Sequence, residues 1–180
     1  MRILGIDPGS SVTGYGVVEV RGGRLRCLAH GTVVPPRGAA LPVRLAALHA
    51  ALGDVLRDHA PAGVVVEQVF VAASPRAALV LGHARGVALA AAAAAGLPVF
   101  EYGARTIKQA VAGHGAAGKP EVQRMVGLLL RLEAPPVPDA ADALAAAICH
   151  LRAAALPPGA LRGRARGRGR RAPRFALRLA

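Results

Sequence analysis

Tryptophan is absent from this 180-residue chain, and cysteine is nearly so. The two cysteines, Cys27 and Cys149, lie far apart with no CxxC pair and no Cys/His cluster. A disulfide scaffold and a structural zinc site are therefore disfavoured, and a reducing cytoplasm suits such a chain. The opening MRILGIDPGS lacks the basic and then apolar pattern of a signal peptide. Long apolar runs are missing too: the longest uncharged one, residues 86–100, falls short of the roughly 20 residues needed to cross a bilayer. Arg85 and Glu101 bracket that run, so a buried alanine-rich helix and a strand explain it better. The expectation is a soluble, cytoplasmic protein with no membrane contact. Acids are scarce as well, with 10 Asp+Glu against 23 Lys+Arg.

What is present fits one α/β domain with a tail. Of the net charge of +13, eight arginines lie in residues 159–180, which carry no acid. This divides the chain into a folded domain over 1–158 and an arginine-rich, disordered tail over 159–180, where glycine, proline and like charges oppose packing. A basic excess favours a polyanionic partner, nucleic acid ahead of an anionic membrane surface. The tail has two readings: a non-specific nucleic-acid arm acting by counterion release, or a solvated extension of biased composition.

Three strands are predicted first, over Arg2–Asp7, Thr13–Val20 and Arg24–Val34, joined by short glycine-bearing links that suggest antiparallel hairpins. Leucines and valine at helical spacing predict a helix over Leu41–His59. The β-branched run Gly63–Val69 reads as a strand buried on both sides. Ser74–Ala95 reads as an alanine-rich helix opened by Ser74-Pro75. A strand over Leu97–Tyr102 and helices over Arg105–Ala112, Glu121–Leu132 and Asp139–Ala155 complete a mixed five-stranded sheet flanked by helices.

Four carboxylates stand out by position. Asp7 and Glu67 each close an apolar strand, where an ionisable group is expensive unless paired or metal-bound. Adjacent parallel strands deliver their C-terminal ends to one sheet edge, so two such acids can converge. Asp139 and Asp142 open the last helix three residues apart and share a face. Singly, each has a plainer role as a strand end or a helix-dipole partner. Jointly they make a set of hard oxygen ligands, suited to Mg²⁺ or Mn²⁺ rather than zinc. Two such ions about 3.5–4 Å apart can activate a water and stabilise the leaving oxygen of a phosphodiester.

The segment GHGAAGK over residues 113–119 has P-loop spacing, but Pro120 replaces the Ser/Thr and a helix precedes it, so it is not a P-loop. Lys108 and Lys119, the only lysines, are candidate phosphate contacts or solvated charges. Phe70 is either a core plug or an aromatic that stacks on or wedges between bases. His114 is expected to face solvent.

Four segments in order resemble the RuvC family of Holliday-junction resolvases: GIDPGSSVTGYGVV, VVVEQVF around Glu67, TIKQAVAGHGAAGKPEVQRMV and PDAADALAAAICH. The resemblance runs to about residue 155 and leaves the arginine-rich tail outside it. It implies an RNase H-like fold, a homodimer, and symmetric nicking of two like-polarity strands at a four-way DNA junction, leaving 5′-phosphate ends. It also implies two Mg²⁺ ions per active site, with Mn²⁺ able to substitute, and action with the branch-migration proteins RuvA and RuvB. Asp7, Glu67, Asp139 and Asp142 match the family's metal-binding catalytic carboxylates. Phe70 matches its junction-core aromatic, and Lys108 and Lys119 match its DNA-contacting lysines. The weighed alternatives are another RNase H-like nuclease acting on RNA-containing or branched nucleic acid, and a non-catalytic binding module. The phosphate-binding turn of actin-like kinases is also similar to the opening, but 180 residues cannot supply their second large domain.

Overall fold

A computed structural model describes residues 1–9, 11–68 and 75–155. The strands are β1 (Arg2–Asp7), β2 (Thr13–Arg21), β3 (Arg24–Val33), β4 (Val64–Gln68) and β5 (Val99–Gly103). The helices are α1 (Leu41–His59), α2 (Pro75–Ala94), α3 (Ala104–Ala112), α4 (Lys119–Leu130) and α5 (Pro138–Ala155). This is the element order that the hydrophobic patterning predicts. Gly22 and Gly23, at φ of 58° and 74°, form the two-residue turn between β2 and β3. Residues that carry a Cβ rarely adopt such angles, and this backbone twist matches that of the flanking strands.

The sheet order is β3-β2-β1-β4-β5, antiparallel across β1, β2 and β3 and parallel across β1, β4 and β5. Val64, Val65 and Val66 are fully buried because helices cover both faces of their strand. Near its middle, β3 carries a bulge: Val17 pairs with Ala29 and Val18 with Cys27, leaving Leu28 as the extra residue. Plain alternation would put Leu25, Cys27, Ala29 and Val33 on one face. The bulge instead sends Leu25 and Cys27 to the face covered by α3, α4 and α5, and Ala29 and Val33 to the face covered by α1 and α2.

Helix α5 lies directly on β1 and β2. Its alanines present little side chain, and the strands answer with glycine. A Cβ on Gly5 would stand 1.9 Å from the Ala143 carbonyl oxygen, and one on Gly14 would stand 2.0 Å from that of Asp139. Backbone therefore meets backbone, which draws the start of α5 down to the sheet edge. Helix α4 begins at Lys119, two residues ahead of the predicted start. Pro120 is pre-organised for a first helical turn and closes no bond that needs its missing N–H.

Over Ala77–Ala94, α2 is apolar and long enough to cross a membrane by composition alone. Arg85 sits at its middle, committed to protein partners described below. Its Ala84, Ala88, Ala91 and Ala92 pack beneath the sheet with α1. The opposite face is exposed, Leu79 by 67%.

Candidate active site

The parallel register pairs Ile6 with Val66, so the next residues, Asp7 and Glu67, emerge side by side at the C-terminal ends of β1 and β4. From above the sheet, α5 adds Asp139 and Asp142 from its first turns. Asp7, Glu67, Asp142, Lys108, Lys119 and Leu81 line a cleft of about 300 Å³. Larger hollows exist, including one of about 690 Å³ between β3 and the ends of α4 and α5, but no carboxylate lines it. Charge, not volume, marks the smaller cleft as the site.

The electrostatics tie the four acids together. Burial first, then the negative charges of Asp142, Glu67 and Asp139, push the Asp7 carboxyl from its ordinary 3.8 up to about 7, with Lys119 opposing. Glu67 is also raised, by burial and by Asp142, while Lys119 and Lys108 pull it down. Lys119 donates to Asp142 across 3.3 Å and is itself raised, chiefly by that charge. Asp139 does not line the cleft, yet its charge reaches both Asp7 and Lys119. The geometry therefore unites Asp7, Glu67, Asp142, Lys108 and Lys119, with Asp139 at the margin.

Among the described residues, no three acidic, histidine or cysteine side chains already stand as a cage for a cation. Lys119 and Lys108 supply positive charge there. The donor set nonetheless fits a hard divalent cation, because its ligands are carboxylate oxygens whose mutual repulsion and burial such a charge would relieve. Asp7, Glu67, Asp139 and Asp142 are the residues that would hold it.

His114 is 53% exposed on its side chain, as expected, with its Nε2 3.0 Å from Glu121. The GHGAAGK segment joins α3 to α4, so a helix precedes it and not the strand a P-loop needs. Phe70 and the tail over 159–180 lie outside the described residues. Two residues with no assigned role from sequence, Arg85 and Glu101, contact each other and the end of β4. Their one sequence signal was that they are the charges flanking the long apolar run.

Comparisons with known proteins agree with this geometry. A family model described as crossover junction endodeoxyribonuclease RuvC matches residues 3–150. A protein of that name from Alkalilimnicola ehrlichii is 57% identical over 153 residues, covering 85% of this chain and 92% of the relative. The solved Thermus thermophilus RuvC in complex with Holliday junction substrate is 40% identical with a TM-score of 0.81, covering 86% of this chain and 94% of that one. The yeast mitochondrial Holliday junction resolvase Ydc2, 13% identical with a TM-score of 0.60 over 83% of this chain and 78% of that one, shares the fold.

A mixed five-stranded sheet with carboxylates at its parallel strand ends, covered by a helix that opens with two more, defines the class: an RNase H-like nuclease. Within that class the chain belongs to the RuvC family of crossover junction endodeoxyribonucleases, enzymes that hydrolyse DNA.

Proposed function

We propose that this protein binds a four-way DNA junction as a homodimer and nicks two strands of like polarity, with Asp7, Glu67, Asp139 and Asp142 as cation ligands. The observation that carries this reading is the convergence of Asp7, Glu67 and Asp142 in one cleft that two lysines also enter, with the charge of Asp139 reaching Asp7 from its margin. Mg²⁺, in two sites, is the proposed cofactor, with Mn²⁺ as a substitute. When bound, such cations lower the pKa of an attacking water and screen charge building on the scissile phosphate.

The chain's own contribution is positioning and charge. Burial on β1 leaves Asp7 poorly solvated, so its affinity for a cation rises as its proton leaves near neutral pH. Lys119, held by Asp142, and Lys108 supply positive charge toward a phosphodiester in the cleft. Phe70 is assigned to the junction core, and the nuclease domain to residues 1–158. The exposed apolar face of α2 supports pairing with a second copy, since a lone surface of this kind is unfavourable in water. RuvA and RuvB are the proposed functional partners, in the cytoplasm.

The test compares a synthetic four-way junction with matched duplex and RNA–DNA hybrid, with and without Mg²⁺, beside Asp7→Asn. Paired nicks confined to the junction, lost without metal and in the variant, are expected. Equal cutting of duplex or hybrid would move the substrate class. Metal-independent cutting, or an active Asp7→Asn, would overturn the roles assigned to the acids.

A further inference from the structure

Glu67 stands at an awkward place. It follows three buried valines, and the pairing of β1 with β4 ends one residue earlier, at Ile6 with Val66, while on the other side Glu67 still pairs with Tyr102 of β5. With β1 pairing finished and the β5 ladder on one side, this strand end gains from a further hold that does not use its own carboxylate. Arg85 supplies that hold. Its Nη1 donates to the Glu67 backbone carbonyl oxygen at 2.8 Å, and its Nη2 donates to the Glu101 carboxylate on the neighbouring strand. Glu101 pairs in register with Val66 across the β4–β5 ladder, so the guanidinium spans both strands just behind the catalytic edge.

The division of labour is chemical. The positive charge of Arg85 goes to Glu101, while its second donor arm meets a main-chain oxygen. Neither arm is given to the Glu67 carboxylate: one meets the Glu67 main-chain oxygen and the other Glu101. The carboxylate is therefore left free for a cation while its backbone is fixed. A planar fork with a permanent charge does this, whereas a lysine ammonium is a point charge without paired, coplanar donors. The Arg85 side chain is 20% exposed and Glu101 38%, so the bond to the Glu67 backbone is better shielded from water than the ion pair that anchors it. One helical turn earlier, Leu81 forms part of the cleft wall, so one face of α2 both lines the site and braces it.

We propose that Arg85, anchored by Glu101, is a positioning residue that fixes Glu67 for cation capture, an inference that rests on Glu67 being a cation ligand. Groups that orient metal ligands from behind typically change affinity or activity by about 10–100-fold when replaced. The test uses the full chain as Arg85→Lys, Glu101→Gln and Glu67→Gln. Free Mn²⁺ is titrated by electron paramagnetic resonance without DNA, beside single-turnover junction cleavage, junction affinity in EDTA and thermal unfolding.

Arg85→Lys should bind the junction normally, hold Mn²⁺ about 10-fold more weakly and cut about 10-fold more slowly, with partial recovery at high Mn²⁺. Glu101→Gln, which keeps an acceptor oxygen, should shift both in the same direction by less. An Arg85→Lys protein with altered melting but unchanged Mn²⁺ affinity and cleavage rate would overturn the proposal. Should Arg85→Lys not fold, an unchanged Mn²⁺ affinity in folded Glu101→Gln would overturn it equally. Glu67→Gln distinguishes the failures: if that variant binds Mn²⁺ and cuts like the wild type, the reading of Glu67 as a ligand is what has failed.

Discussion

Replacing Asp7 with Asn should abolish cleavage and, at the same time, stabilise the cation-free protein above neutral pH. In the unfolded chain the carboxyl titrates near 3.8, and in the fold near 7. Between those values the folded protein retains a proton that the unfolded chain has already released. Wild-type stability therefore falls as pH rises through this window and levels off above about 7. At about 1.4 kcal/mol per pH unit, a gap of roughly three units bounds the effect at about 4 kcal/mol. Local relaxation and water entry reduce this, and about 2 kcal/mol is the working value. For a protein of this size that raises the Tm by about 4–8 °C. The assay is calorimetric melting in EDTA at pH 8, repeated at steps down toward pH 4, where the advantage of Asn should shrink steadily. Added Mg²⁺ should reverse the ranking, because only the wild type gains by binding it. An Asn variant no more stable than wild type at pH 8, or one whose advantage ignores pH, would refute the idea that repulsion and burial strain this site.

Other perturbations probe different links. Lys119 lowers the pKa of both Asp7 and Glu67, so Lys119→Met should move the acid limb of the cleavage pH–rate profile to higher pH, and an unmoved limb would contradict the coupling. Gly14→Ala would place a methyl 2.0 Å from the Asp139 carbonyl oxygen, so α5 must lift. The expected loss is about 1–3 kcal/mol of stability, measured by denaturant melting, together with weakened cleavage. Ending the chain after Pro158 should weaken junction binding and flatten the slope of log affinity against log salt, since released counterions scale with the arginines engaged. An unchanged slope would leave the tail as a solvated extension.

Much of this architecture was legible in the residues themselves. Alternating and continuous apolar runs marked the five strands because a pleated backbone repeats every two residues, and α1 declared itself through its leucines at helical spacing. Asp7 and Glu67 were visible as acids closing apolar strands, a costly pattern that asks for a reason. Asp139 and Asp142 were visible as a same-face pair among only 10 acids. Local pattern could carry these because each depends on near neighbours in the chain.

Tertiary structure decided what depends on distant ones. The register of β1 on β4 sets Asp7 beside Glu67, and no local signal encodes it. The bulge at Leu28 turns β3 over and inverts which side chains reach which face, contrary to simple alternation. The approach of α5 to Gly5 and Gly14 brings its acids to the strand ends, a fit that exists only once helix and sheet are packed. Arg85 shows the difference most plainly. In sequence it is a charge beside an alanine run, and in space it bonds the backbone of Glu67, 18 residues away. Periodicity reports which face a residue occupies; only the packed chain determines which backbone oxygen its side chain will meet.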